Sequence, residues 1–371
     1  MKRPRGLKKS KLEESKKAKL AETAVEDEDT LVVEVKGQND VEELSQLYDS
    51  ALAQLNDNNV EQAVMLFRGV VHECDKMIRI RHGDIPNADE EERELLENSI
   101  KACPVLPYSF YLTYANALYH LSLIDSDDPK SFLDVAMEMA EKALDLEQAP
   151  ECLHVISRIL IQSASLDKSD SVIEEFKKYF KNLVGCYTSK DLTKIRDLVL
   201  EISQYSHNHV DTLEDSDEKQ TWIEFNAENW KSILNIESDN VEAQVGLGNG
   251  YLCLADELIQ KYESDDGDES VERSEIESYL SKAIASFTKA LKQLESTHQP
   301  TINILLLLGE TQVHMGNIVD QTADETEIDQ ASLNHFQNAV DCFQKVQALD
   351  SDALPSQFKD FLTEWEDDFK P

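Results

Sequence analysis

The chain has 371 residues, of which 11 are glycine and 9 are proline. These are half or less of average usage, so turn-rich sandwiches, barrels and propellers are excluded and helices are favoured. The formal net charge of −38 predicts a body that repels nucleic acid phosphates and anionic membranes and attracts basic proteins.

Residues 1–38 are predicted to form a disordered tail, because they lack a helical apolar stripe. The tail is basic from Lys2 to Lys19 and acidic from Ala21 to Thr30. Residues 1–20 carry a net charge of +7, and the remaining 27 basic and 72 acidic residues give −45. No apolar segment follows the basic start, so no signal peptide is predicted. Three basic clusters favour a nuclear import signal, and the alternative is a tail that contacts RNA or the ribosome. Their residues are Lys2, Arg3, Arg5, Lys8, Lys9, Lys11, Lys16, Lys17 and Lys19.

From Val41 onward, apolar residues recur at i, i+3, i+4 and i+7, the period of an amphipathic helix. This pattern predicts one acidic α-helical repeat domain over 39–371, with surface insertions near 264–270 and 322–329. No apolar run approaches the ~20 residues that cross a bilayer, so no membrane contact is expected. Helices are predicted at 40–57, 60–81, 88–101, 105–123, 129–147, 150–165, 169–184, 190–208, 216–236, 240–262, 273–296, 300–318, 329–349 and 355–369.

Four predicted helices repeat one motif, in which a small residue is followed after four residues by Phe or Ala and after seven by Ala or Val. The four sets are Ala63, Phe67, Val70; Ala136, Ala140, Ala143; Ala283, Phe287, Ala290; and Ala339, Phe343, Val346. Preceding helices carry Ala115, Gly248 and Gly309, small enough to let a neighbour approach closely. The pattern resembles the tetratricopeptide repeat. The resemblance implies an all-α superhelix of antiparallel helix pairs, whose first helices line a concave face.

The residue after each of these small residues is the predicted partner-binding position: Asn116, Asn249 and Glu310. In a tetratricopeptide-like packing, this position faces the concave groove. Asparagine in mid-helix is about 0.5 kcal/mol less favourable than alanine, which favours a role beyond local stability. The alternative is a polar residue tolerated on an exposed helix face.

No catalytic, cofactor or metal site is predicted. Gly246–Gly250 lacks the preceding strand, the lysine and the spacing of a phosphate loop, and favours a tight helix crossing. His72 and Cys74 are two residues apart on a helix and so diverge, and His207 with His209 is interpreted as a surface pair. The aromatic residues Trp222, Phe225 and Trp230 favour core packing. The six separate cysteines favour free buried thiols in a reducing compartment: Cys74, Cys103, Cys152, Cys186, Cys253 and Cys342.

Three segments together resemble the fungal family called enhancer of translation termination. They are Val70–Arg79, with the sequence VVHECDKMIR, the start Lys2–Leu7, and the C-terminal Ala353–Trp365. The resemblance implies a nuclear, non-enzymatic protein needed for accurate translation termination. It also implies a link to hypoxic gene expression through a dioxygenase of the prolyl-hydroxylase type.

The sequence therefore favours an acidic adaptor or scaffold that supports stop-codon fidelity through protein contacts, in the nucleus or shuttling to the cytoplasm. The expected partners are basic proteins associated with the ribosome or with termination, and the body is not expected to bind nucleic acid. A nuclear scaffold in transcription or RNA processing stays an alternative. A chaperone-type peptide-binding adaptor is a weaker one, because such a groove needs basic residues for a carboxylate.

Overall fold

A computed structural model describes residues 40–82, 105–125, 128–166, 170–187, 192–210, 212–213, 216–263, 273–299, 301–320 and 330–369. These residues form thirteen α-helices and include no strand, which confirms the predicted all-α class. The helices are α1 (Asp40–Asn56), α2 (Val60–Arg81), α3 (Tyr108–Ile124), α4 (Pro129–Leu146), α5 (Pro150–Leu166), α6 (Asp170–Tyr187), α7 (Leu192–Val210), α8 (Ser216–Ile236), α9 (Val241–Glu263), α10 (Arg273–Ser296), α11 (Ile302–Asp320), α12 (Gln330–Leu349) and α13 (Ser356–Phe369).

Several helix starts follow from local sequence. The Asp128 carboxylate accepts hydrogen bonds from the Ser131 amide at 3.2 Å and the Ser131 hydroxyl at 2.6 Å, and Pro129 occupies the first turn. Asn240 accepts the Ala243 amide at 2.8 Å and so caps α9. Helix α3 begins at Tyr108, later than predicted, because the extended Pro107 precedes it.

The repeat motif is confirmed, since all twelve residues of the four sets are fully buried. In α9 and α11 the glycine is required by close packing. A Cβ added at Gly248 would lie 2.5 Å from Cε1 of Phe287 on α10, and one at Gly309 would lie 2.5 Å from Cε1 of Phe343 on α12. Consecutive helices therefore pack as antiparallel pairs, with a phenylalanine ring in the space that glycine leaves open.

The chain divides into two compact units, Met1–Leu183 and Val184–Pro371. The N-terminal unit contains α1 to α5 and most of α6, and the C-terminal unit contains α7 to α13. Sequence patterning did not predict this division. The single repeat domain over 39–371 stays a prediction. The predicted tail, the helix at 88–101 and both insertions lie outside the described residues.

Among the described helices, none is long and apolar enough to cross a membrane. The five described cysteines are free thiols, and Cys103 lies outside the described residues. Cys74, Cys152 and Cys342 are buried. Burial raises the pKa of Cys74 and raises the pKa values of Cys152 and Cys342 to about 11, so these thiols are unreactive near neutral pH.

Candidate partner-binding site

The three predicted groove residues are half-buried positions in the middle of α3, α9 and α11. Asn249 and Glu310 belong to the C-terminal unit, whereas Asn116 belongs to the N-terminal unit. The Asn116 amide donates a hydrogen bond to the Leu112 carbonyl at 2.9 Å, one turn back in its own helix. Partner binding at these three positions stays a prediction, and the surroundings of Asn249 and Glu310 carry the further detail.

Helix α9 packs against its neighbours on two faces and presents a third. Gly248 meets Phe287 on α10, and Gly246 meets the Trp230 ring on α8. Asn249 and Asp256 lie seven residues apart, two turns and about 10.5 Å along the helix axis, on a face between these two. Both residues are half-buried, and in each the side-chain oxygen Oδ1 is buried with no hydrogen-bond donor in the described structure.

Asp256 is the electrostatic centre of this face. Burial raises the pKa of its carboxyl to about 6. Glu257 and Glu310 raise that pKa further by repulsion, while His314 and Lys219 lower it. Charged groups from α8, α9 and α11 thus act on one half-buried carboxyl.

The cluster of Lys219, Asp256, Glu257, Glu310 and His314 has an excess of negative charge. Glu310 and His314 lie one turn apart on α11, and both are half-buried. Lys219 Nζ lies 2.5 Å from Glu257 Oε1, so the lysine is engaged by that carboxylate. His314 is the other group that opposes the rise in the pKa of Asp256. The face therefore favours an additional cation.

Apolar side chains flank the cluster on the same helix face. Leu306, Glu310 and Val313 follow the i, i+4, i+7 period on α11, and Val245 precedes Asn249 by one turn on α9. Leu306, Val313 and Val245 are partly buried against the core of the C-terminal unit. The surface thus combines half-buried polar side chains with partly exposed apolar ones, which suits a peptide segment better than a small ion.

The N-terminal unit has a different side-chain set beside its groove position. The Arg158 guanidinium lies 4.3 Å from the ring centre of Tyr119, three residues after Asn116 on α3. Burial raises the pKa of the Tyr48 hydroxyl, and the Arg158 charge opposes that rise. In the N-terminal unit, a cation and an aromatic ring therefore lie about one turn from the predicted groove residue.

Sequence patterning missed Asp256. With 74 Asp and Glu residues in the chain, a carboxylate attracts no attention by itself. The signal that would have found it is its position two turns after Asn249, on the same face. The predicted import residues from Lys2 to Lys19 lie outside the described residues.

The described residues hold no group of His, Cys, Asp and Glu suited to a metal ion. His72 is exposed and Cys74 buried, so their predicted divergence is confirmed. The prediction that His207 and His209 form a surface pair is wrong for His209. This residue is 4% exposed, and its ring centroid lies 4.8 Å from that of Trp222. Burial lowers the pKa of His209. Trp222 and Trp230 are buried, as core packing predicted.

Several known proteins are similar to this chain. The family model described as nuclear pore complex subunit Nro1 matches residues 1–236. A Debaryomyces hansenii protein named enhancer of translation termination 1 is 30% identical over 174 residues, which cover 46% of this chain and 39% of that protein. The Saccharomyces cerevisiae protein of the same name is 23% identical, covering 92% of this chain and 99% of its own.

A solved structure shares the fold. It is the structure of a protein described as the hypoxic regulator of sterol synthesis Nro1, a nuclear import adaptor. Its TM-score to this chain is 0.51 at 18% identity, covering 88% of this chain and 92% of the other.

Proposed function

This chain belongs to the Nro1 family, and we propose that it is a non-enzymatic adaptor that binds a basic protein and links it to nuclear import. The observation that carries the proposal is the half-buried face of α9 and α11, where three carboxylates, Asp256, Glu257 and Glu310, face Lys219 and His314. A surface of this kind recognises protein side chains and has no catalytic group in a reactive arrangement. The relative described as a nuclear import adaptor supports the same role.

The charge distribution supports a division of labour along the chain. Residues 1–20 carry +7 and the rest −45. The acidic body attracts a basic partner and repels nucleic acid, while the basic clusters from Lys2 to Lys19 serve as the import signal. The adaptor then resides in the nucleus and shuttles through the cytoplasm to collect its partner.

The partner is a protein of the ribosome or of the termination machinery. The relatives named enhancer of translation termination support this choice. The fungal family resemblance adds a prolyl-hydroxylase-type dioxygenase as a second partner, through which the chain acts on hypoxic gene expression. Stop-codon fidelity then depends on partner delivery.

The experiment uses a fluorescently tagged full chain as the only copy in a fungal cell. Its test variant replaces all nine tail Lys and Arg by Ala, and its control deletes the acidic segment 21–30, which leaves those nine residues intact. We expect the test variant alone to lose nuclear enrichment, to lower the nuclear level of at least one basic protein, and to raise readthrough in a dual reporter.

Two results would contradict the adaptor. One is a normal nuclear level of every co-purifying protein when the tagged chain itself has left the nucleus. The other is restored fidelity when the chain is held in the cytoplasm by an export signal, since that outcome assigns the function to the cytoplasm. Normal partner levels with changed transcript processing would favour the nuclear scaffold.

A further inference from the structure

The face of α9 and α11 has acceptor oxygens without donors. Oδ1 of Asn249 and Oδ1 of Asp256 are both buried and without a hydrogen bond in the described structure. A buried acceptor without a donor is destabilising, because it has lost water and gained nothing. Both side chains are only half-buried, so a ligand that reaches this face can place a donor beside the part of each side chain that is still accessible.

The charge of the surroundings identifies the donor as cationic. The negative charges of Glu310 and Glu257 repel that of Asp256. An arriving cation would relieve this repulsion, whereas an anion or a neutral group would not.

The apolar flank identifies the rest of the ligand. Leu306 and Val313 lie one turn on either side of Glu310 and are only partly covered. A cationic side chain has an apolar stem, and its neighbours along a peptide can cover these two residues. A free inorganic cation or a polyamine would leave them exposed.

We propose that the face formed by Val245, Asn249 and Asp256 on α9 and Leu306, Glu310 and Val313 on α11 binds a lysine-bearing segment of the partner, with the ammonium group between Asp256 and Glu310. This inference rests on the proposed adaptor function and deepens it by naming the recognised group. Asn249, which is half-buried on the same face, then lies beside the peptide, and the apolar residues contact the neighbouring side chains of the peptide.

The binding has a definite pH dependence. The pKa of the free Asp256 carboxyl is about 6, so at pH 7 it is mostly ionised and at pH 5 mostly protonated. The other charged groups acting on it are Glu257 beside it, Glu310 and His314 from α11, and Lys219 from α8. Because protonation of Asp256 makes the face less negative, affinity falls as the pH drops from 7 to 5.

The test measures binding of a fluorescein-labelled peptide, four repeats of Gly-Leu-Lys, to the full chain at pH 7 and physiological salt. Its matched control peptide carries N-acetyl-lysine. We expect acetylation to weaken binding by about tenfold or more, and Asp256→Asn with Glu310→Gln to weaken it by about fivefold to tenfold. Glu295→Gln, at an exposed position on α10, should leave it within about twofold.

A second measurement localises the peptide. Carbodiimide labelling of carboxylates, read by mass spectrometry, should show protection of Asp256 and Glu310 by the lysine peptide, none by the acetylated peptide, and no change at Glu295. Equal affinity for both peptides would overturn the proposal, as would protection at Glu295 equal to that at Asp256.

Other occupants have their own signatures. Tighter peptide binding by the chain whose nine tail residues are alanine would assign the face to the chain's own tail, and dimerisation lost in the double variant would assign it to a second copy. Either outcome overturns the partner site. If the import experiment succeeds and this one fails, only the position of the site is wrong. If the import experiment fails and the peptide binds here, the lysine site stands without the adaptor role.

Discussion

The two units bury a carboxylate in different ways. In the N-terminal unit, Asp125 is 8% exposed and accepts hydrogen bonds from Nε of Arg68 at 2.9 Å and from its Nη2. In the C-terminal unit, Asp256 is half-buried with one oxygen lacking any donor, and its pKa is raised to about 6. Asp125 is thus paired within the fold, whereas one oxygen of Asp256 has no donor in the described structure. The difference teaches that burial together with an absent donor, rather than charge, separates these two carboxylates.

The units also differ at their helix crossings. In α9 with α10 and in α11 with α12, Gly248 and Gly309 leave space that a phenylalanine ring fills. In α3 and α4, the corresponding positions hold Ala115 and Ala140, both fully buried. In the C-terminal unit, a glycine and a phenylalanine thus stand where the N-terminal unit has two alanines. The phenylalanine rings should therefore make the largest contribution to the stability of the C-terminal unit.

Removing a ring tests this expectation with the largest effect. Phe287→Ala and Phe343→Ala should each lower the free energy of unfolding by roughly 3–5 kcal/mol, because a fully buried ring leaves a cavity. Tyr262→Ala, at an exposed position, is the control and should change it by about 0.5 kcal/mol or less. Equilibrium denaturation is the measurement. Losses under about 1 kcal/mol for both phenylalanines would contradict the repeat packing.

Adding a methyl group at the glycine of each crossing should lower the free energy of unfolding less than removing the ring. Gly248→Ala and Gly309→Ala should each destabilise by roughly 1–3 kcal/mol, since the new methyl group meets a ring carbon at 2.5 Å. Gly185→Ala on α6 meets nothing within 4 Å and should stabilise by up to about 1 kcal/mol through helix propensity. Combining Gly248→Ala with Phe287→Ala should cost less than the two separate changes together, because the methyl group then occupies the vacated space. Additive losses would contradict this account of the crossing.

Breaking the internal ion pair sharpens the comparison of carboxylates. Arg68→Gln should destabilise by roughly 1–3 kcal/mol, because Asp125 is then buried with weaker donors. Lys142→Gln removes the exposed partner of Glu138 and should change stability by about 0.5 kcal/mol or less. Thermal melting at pH 7 compares the two variants. Equal shifts in melting temperature would mean that the ion pair of Arg68 with Asp125 contributes no more to stability than an exposed surface pair.

The smallest expected effect concerns Asp256. Its folded-state pKa of about 6 exceeds the value near 3.9 expected in the unfolded chain, so the folded state takes up the proton first as the pH falls. Asp256→Asn should therefore stabilise by about 1 kcal/mol at pH 7 and remove part of the stability gained between pH 7 and pH 5. Asp341→Asn, exposed on α12, should retain that gain. An Asp256→Asn melting profile parallel to that of the wild type between these pH values would contradict the raised pKa.

The sequence by itself determined the all-α class, the positions of nearly all helices and the residues at the helix crossings. These follow from local physics, because amphipathic period, proline placement and the small-then-aromatic motif act within one or two turns. Gly248 and Phe287 were recognisable as crossing residues before any contact was known. Asn249 and Glu310 were expected on exposed helix faces, and both are half-buried.

Tertiary structure alone decided which charged residues matter. Asp256 stands out because packing buries it in part and places Glu310, His314 and Lys219 around it. His209 was mistaken for a surface residue because its burial depends on Trp222 in the next helix. Desolvation and long-range charge are properties of an assembled surface, so no local pattern contains them. The division after Leu183 is of the same kind, since packing between helices sets it.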